Sequence, residues 1–265
     1  MSVGPTVLKL GGSVITNKEK PLTPNLPTIR RLSCEISEAQ VSRLILIHGG
    51  GSFGHPLAKR YALKEGYKET PQLIGVAKTR QAVVALNKLL VDALIEQSVL
   101  AVGLQPSAFV VTKSGRINRI EQQPLENLLK IGLTPVLYGD VVCDCDLGFT
   151  ILSGDQLAAF LAMKLGASRI ILGIDVDGLC TSDPKSNSSA RLVQHITLQE
   201  LRGMQNEIEE AKVTDVTRGM FGKISELMTA VEGGIPALIV NAAKPNNIYK
   251  ALKGEDVTGT TIMKG

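Results

Sequence analysis

Six short apolar runs recur along the chain: TVLKL (6–10), RLILIH (43–48), LAVGLQ (100–105), TPVLYG (134–139), RIILGID (169–175) and PALIVN (236–241). They are rich in Val, Ile and Leu and lack polar alternation, the pattern of strands buried on both faces. Between them lie segments of helical period near 24–40, 75–96, 121–131, 155–166, 219–233 and 245–253. In 75–96, Val83, Leu86, Leu90 and Leu94 share one face. Strands alternating with helices predict an α/β fold, a three-layer α/β/α sandwich around a mainly parallel sheet. FVVTKSGRINRI (109–120) and VVCDCDLGFTIL (141–152) break the alternation. Each reads as strand, turn, strand, with Ser-Gly or Leu-Gly at the turn, and predicts a projecting β-hairpin. No repeat or linker stands out, so one domain over 1–265 is expected, with an N-terminal lobe to about 165 and a C-terminal lobe beyond it. DPKSNSSAR (183–191) is the expected mobile loop.

Composition narrows the function classes. Tryptophan is absent and aromatics make up 3%, so no stacking platform for single-stranded nucleic acid is expected. The mild net charge of +4 fits binding of small anions at least as well as of a polyanionic polymer. Cys34, Cys143, Cys145 and Cys180 include a Cys-Asp-Cys too tight for a zinc knuckle, with no second pair. Reduced thiols and no metal site are expected. No apolar run reaches the roughly 18 residues of a bilayer span, and Met1 leads straight into the first run without a leader pattern. These features predict a cytoplasmic protein without nucleic-acid or membrane partners.

Two glycine-rich turns follow strands, where open parallel sheets bind ligands. KLGGSVITNK carries Gly11, Gly12 and Ser13; HGGGSFGHP carries Gly49, Gly50, Gly51, Gly54 and His55. Glycines let backbone N–H groups approach an anion, and a helix start behind them adds favourable dipole charge. Two such turns on neighbouring strands suit a phosphoryl donor facing an anionic acceptor. Neither the Walker pattern nor the dinucleotide fingerprint is present: Thr217 and Ile224 break the first around Lys223, and the spacing after Gly49 breaks the second. Lys9 inside an apolar strand calls for an anionic partner. Lys18 follows the first turn, and Lys223 reads as lying in the first turn of a helix, a poor place for a cation without a ligand. Asp155 at a helix start is either an N-cap or the group that holds Lys9 and Lys18. His48 reads as structural and His195 as a surface residue. Val76 and Val83 read either as core or as the wall of an apolar pocket.

Together these segments resemble the amino acid kinase family. The resemblance runs from VLKLGGSVIT through ILSGDQLAAFLAMKLGASRIILGIDVDGL and DVTRGMFGKISELMTAVEGGIPALIVNA to GTTI, nearly the whole chain. Within that family HGGGSFGHP, QPSAF and YGDVV are similar to the isopentenyl phosphate kinases. The resemblance implies ATP-dependent phosphorylation of isopentenyl phosphate to isopentenyl diphosphate, with Mg²⁺ carried on ATP and a homodimer as the assembly. It implies that Lys9, Gly11, Gly12 and Ser13 cradle the donor phosphates and that Lys18 meets the phosphoryl group in flight. Gly50, Gly54, His55 and Gly154 would hold the acceptor, with Gly51 near the γ-phosphate. Asp155 would orient lysines, and Asp175, Gly219 and Lys223 would contact ATP, with Asp177 and Gly178 shaping the loop. The acceptor would lie in the N-terminal lobe and the nucleotide in the C-terminal lobe. Two alternatives stay open on the residues: another phosphate or phosphonate acceptor such as fosfomycin, or a non-catalytic nucleotide-binding protein of the same fold.

Overall fold

The computed structural model describes residues 4–181, 187, 189–210 and 215–265, and only the backbone of 205–210, 215–219 and 221. Gly219 and much of the stretch 183–191 therefore lie outside what is described in full. The main sheet runs in the order β10 (His195–Thr197), β12 (Gly259–Met263), β11 (Ala237–Asn241), β9 (Arg169–Ile174), β1 (Thr6–Leu10), β2 (Leu44–His48), β6 (Thr134–Tyr138) and β3 (Ala101–Gly103). The six apolar runs supply six of these strands. All pairs are parallel except β11 with β12, so the expected mainly parallel sheet is present.

Strand parity sorts the core. Val7, Ile45 and Ile47 pack with α5 (Gln123–Lys130), α6 (Gly154–Lys164) and α8 (Asp215–Glu232) on one face. Leu8, Leu10, Leu44 and Leu46 pack with α2 (Leu26–Ala39), α4 (Pro71–Glu96) and α9 (Asn247–Lys253) on the other. The result is the expected α/β/α sandwich. On the second face, buried Glu35 of α2 accepts N–H groups from Asn246, Ile248 and Tyr249, capping α9 from another helix.

The two hairpins also form as expected, and they join. β4 (Val110–Lys113) with β5 (Arg116–Ile120), and β7 (Asp140–Asp144) with β8 (Gly148–Leu152), combine through a parallel β4–β7 pair into a four-stranded sheet. Asp144 fastens the two turns, accepting N–H groups from Ser114, Gly115, Asp146 and Leu147. Burial pushes its carboxyl up, but those donors outweigh it and bring the pKa down to about 2. The β7–β8 hairpin follows the end of β6 and runs into the start of α6, so this sheet stands beside the carboxyl end of β6.

Candidate active site

Lys9 shares the parity of Val7 and therefore points from β1 toward α6. Its side chain is 2% exposed, and its Nζ lies 2.7 Å from Asp155 Oδ1 in the first turn of α6. The other carboxylate oxygen of Asp155 accepts from Lys223 Nζ at 3.3 Å. Burial lowers the Lys9 pKa more than Asp155 raises it, and neighbouring Lys223 lowers it further. Burial pushes Asp155 up, but Lys9 and Lys223 outweigh it and hold the carboxyl below its usual range. Asp155 is not the N-cap: Ser153 is, accepting from Gln156 N–H at 3.0 Å.

Two expectations are corrected here. Asp155 orients Lys9 and Lys223, not Lys9 and Lys18. Lys18, exposed on the loop after the first glycine turn, pairs with Asp175 at the end of β9. Burial raises the Asp175 pKa, yet Lys18 brings it net below the usual value. Lys223 is not in the first turn of its helix, because α8 starts at Asp215 and carries it mid-helix. Its cationic end points across to α6 instead of along a helix start.

The two glycine turns meet backbone to backbone. A Cβ on Gly12 would lie 2.2 Å from Gly51 N, and one on Gly51 would lie 2.3 Å from Thr16 Oγ1 and 2.6 Å from Gly12 O. Gly51 also has φ +49°, a left-handed conformation that side chains disfavour. Thr16, to which the sequence drew no attention, stitches the turns: its hydroxyl donates to Gly12 O at 2.7 Å and accepts from Ser52 N–H at 3.0 Å. Helix α1 (Gly12–Ile15) opens at the first turn and α3 (Gly51–Arg60) at the second.

Beside this junction lies an open cleft, with about 650 Å³ of atom-free space when the solvent at its mouth is included. Lys9, Gly12, Gly50, Gly54, His55, Gly154, Asp155 and Lys223, all expected site residues, line it together. Ala58, Val83, Val141 and Ile151 give it an apolar side. Gly11, Ser13, Lys18, Gly51 and Asp175 do not line it; Lys18 and Asp175 face each other beyond it. Val83 is thus a wall residue, whereas Val76 packs into a small core with Ala58, Leu63, Val141 and Phe149 and lines no part of the cleft. His55 is exposed on α3, and its pKa is lowered first by partial burial and then by Lys223 and Lys9. Asp177 is bonded by Asn241 at 2.9 Å and Lys244 at 2.7 Å, which pins the loop after Asp175.

His48 is structural, as expected. It is fully buried, stacked on Tyr138 with ring centroids 5.5 Å apart. The Asn87 amide donates to its Nε2 at 3.2 Å, so Nδ1–H donates to the Gly49 carbonyl at 3.1 Å. Burial brings its pKa down to about 4. Asp140 was missed as a site residue. It lines the cleft and accepts from Ser107 N–H at 3.0 Å, so QPSAF and YGDVV meet there; burial raises its pKa.

Residues 4–241 match the model of the amino acid kinase family. The chain belongs to the amino acid kinase family. An isopentenyl phosphate kinase of Methanothermobacter thermautotrophicus is 42% identical, over 97% of this chain and 98% of that protein. The isopentenyl phosphate kinase of Methanocaldococcus jannaschii is 34% identical over 97% and 98%. Among solved structures, an isopentenyl phosphate kinase superposes with a TM-score of 0.86 at 39% identity, covering 97% of this chain and 99% of that one. Family members share the sandwich, and among the described residues no helix is long and apolar enough to cross a membrane.

Proposed function

We infer that this chain is an isopentenyl phosphate kinase: it transfers the γ-phosphoryl group of ATP to isopentenyl phosphate, giving isopentenyl diphosphate and ADP. The observation that carries this reading is the cleft itself. At one side are two abutting glycine turns, the Lys9–Asp155–Lys223 array and His55; at the other are apolar walls. That combination suits an acceptor with an anionic head and a short hydrocarbon tail. Similarity to enzymes named for this substrate supports the same choice.

The acceptor is already a phosphate, so its attacking oxygen is ionised at neutral pH and no general base is required. The oxygen forms a bond to the γ-phosphorus as the bond from that phosphorus to the β,γ-bridging oxygen breaks, and the electron pair stays on ADP. What the protein supplies is alignment and counter-charge for two anions brought together. We assign Gly50, Gly54, His55 and Gly154 to the acceptor phosphate. Lys9, Gly11, Gly12, Ser13, Gly51, Asp175, Gly219 and Lys223 are assigned to ATP, with the acceptor in the first lobe and the nucleotide on the second, its phosphates reaching the glycine turns of the first. Lys18 exchanges Asp175 for the transferring group. The described residues hold no cluster of three or more metal-binding side chains, and Asp155 and Asp175 are both occupied by lysines. A Mg²⁺ ion would therefore come with the ATP phosphates, and no step is assigned to it. We also propose a homodimer: exposed Ile95, Leu100 and Ile131 stand at ends of elements flanking edge strand β3.

The test is turnover of the purified protein with γ-labelled ATP, offering isopentenyl phosphate and, separately, fosfomycin. Label in isopentenyl diphosphate is expected. Transfer to fosfomycin alone would replace the acceptor, and no transfer to either would favour a nucleotide-binding role.

A further inference from the structure

The β4–β5 hairpin lines no part of the cleft, yet its turn reaches the helix that carries Lys223. Gln156, the buried residue after Asp155, holds the β4–β5 turn to α6. Its Oε1 accepts from Ile117 N–H at 3.0 Å and its Nε2 donates to the Gly115 carbonyl at 3.2 Å. Arg116 lies between those two anchored residues. Its guanidinium crosses to α8 and donates two hydrogen bonds of 2.7 Å to the two oxygens of Glu226, whose side chain is 19% exposed. Glu226 follows Lys223 by three residues, so the two side chains are neighbours one turn apart. A bidentate pair fixes orientation as well as distance, which a single contact does not.

Helix α8 is therefore gripped at adjacent turns by consecutive residues of α6. Asp155 acts directly on Lys223, and Gln156 acts through Arg116 on Glu226. The second grip matters because Lys223 is the less anchored of the two cleft lysines. Lys9 is fixed in a central strand at 2.7 Å from Asp155, whereas Lys223 is partly exposed and 3.3 Å away.

We propose that Arg116 and Glu226 are positioning residues for phosphoryl transfer: the hairpin latches α8 so that Lys223 stands over the cleft. The proposal rests on the assignment of Lys223 to the phosphates. It is tested by steady-state kinetics of Arg116→Ala, Arg116→Lys, Glu226→Gln, Lys223→Met and the double variant Arg116→Ala/Lys223→Met. Arg116→Ala and the near-isosteric Glu226→Gln should each lower kcat by about 3–10-fold, with KM for isopentenyl phosphate within about twofold of wild type. Arg116→Lys keeps the charge without the fork and should recover only part of the loss. In the Lys223→Met background, Arg116→Ala should cost nothing further, because the residue it positions is gone. A purely structural role would lower kcat by the same factor in both backgrounds, and that result, or an unchanged kcat in both Arg116→Ala and Glu226→Gln, overturns the latch. Wild-type turnover by Lys223→Met overturns the assignment of Lys223 itself, and the latch with it.

Discussion

A lysine buried in a central strand shows how far single residues speak for themselves. The demand of Lys9 for an anion was legible because an unpaired buried ammonium is costly; that its partner is Asp155 follows from strand parity and the start of α6. The partner of Lys18 was not legible, since Lys18 and Asp175 are 157 residues apart and meet only because β9 runs beside β1. On the proposed assignment Lys18 leaves Asp175 for the transferring group, so its contribution is made in the transition state. Lys18→Ala should lower kcat about 10²–10³-fold with little change in either KM, as measured by initial rates. His55 makes a contrasting prediction. Partial burial and two nearby lysines hold the pKa of its free ring below the ordinary imidazole range. A bound phosphate adds opposite charge, so the ring pKa rises and acceptor binding takes up protons. Acceptor affinity should then fall as pH rises through the bound-state pKa. Calorimetry in two buffers of different ionisation heat should show the uptake in wild type and none in His55→Ala, with ATP binding unchanged.

Among elements, the buried strands and both hairpins could be read because their patterns are local. Helix α3 could not: it opens at the end of a glycine run and contains Pro56, both poor helix signals, and it persists because its apolar face packs on neighbouring elements. Short β10, at the sheet edge, and β12, between it and β11, were missed because three to five residues carry too little pattern. Helix α4 shows what period alone leaves open. Val76 and Val83 both lie on its apolar side, but only Val83 faces the cleft. Val83→Phe should shorten the prenyl tail that is accepted, and Val83→Ala should admit longer ones, a change of about 1–3 kcal/mol per methylene in preference. Val76→Ala should instead lower the melting temperature while leaving the chain-length profile alone. Competition among dimethylallyl, isopentenyl and geranyl phosphates checks the first pair, and thermal unfolding the last.

For the whole molecule, acid stability depends first on a buried histidine. His48 is neutral in the fold with a pKa of about 4, against 6.5 when free. Between those values the unfolded chain binds more protons, so the stability contributed by neutral His48 is complete above pH 6.5 and is lost as pH falls toward 4. The full loss is about 3 kcal/mol. Urea unfolding from pH 7 to 4 should show this decline, and His48→Gln should flatten it by a similar amount. The stability that Asp144 adds disappears at still lower pH, as its carboxyl protonates below 3.8 toward 2. The contact of the two glycine turns has a different consequence. The turns proposed as donor and acceptor seats touch main chain to main chain, with the Thr16 hydroxyl bridging them. Remodelling the tail side at Val141 or Ile151 would leave that main-chain contact untouched, whereas Val83 packs against Gly50 and Gly54 of the second turn. Conversely, a substitution at Gly12 cannot be repaired by a compensating side chain opposite, because the surface it strikes is the backbone of Gly49 and Gly51.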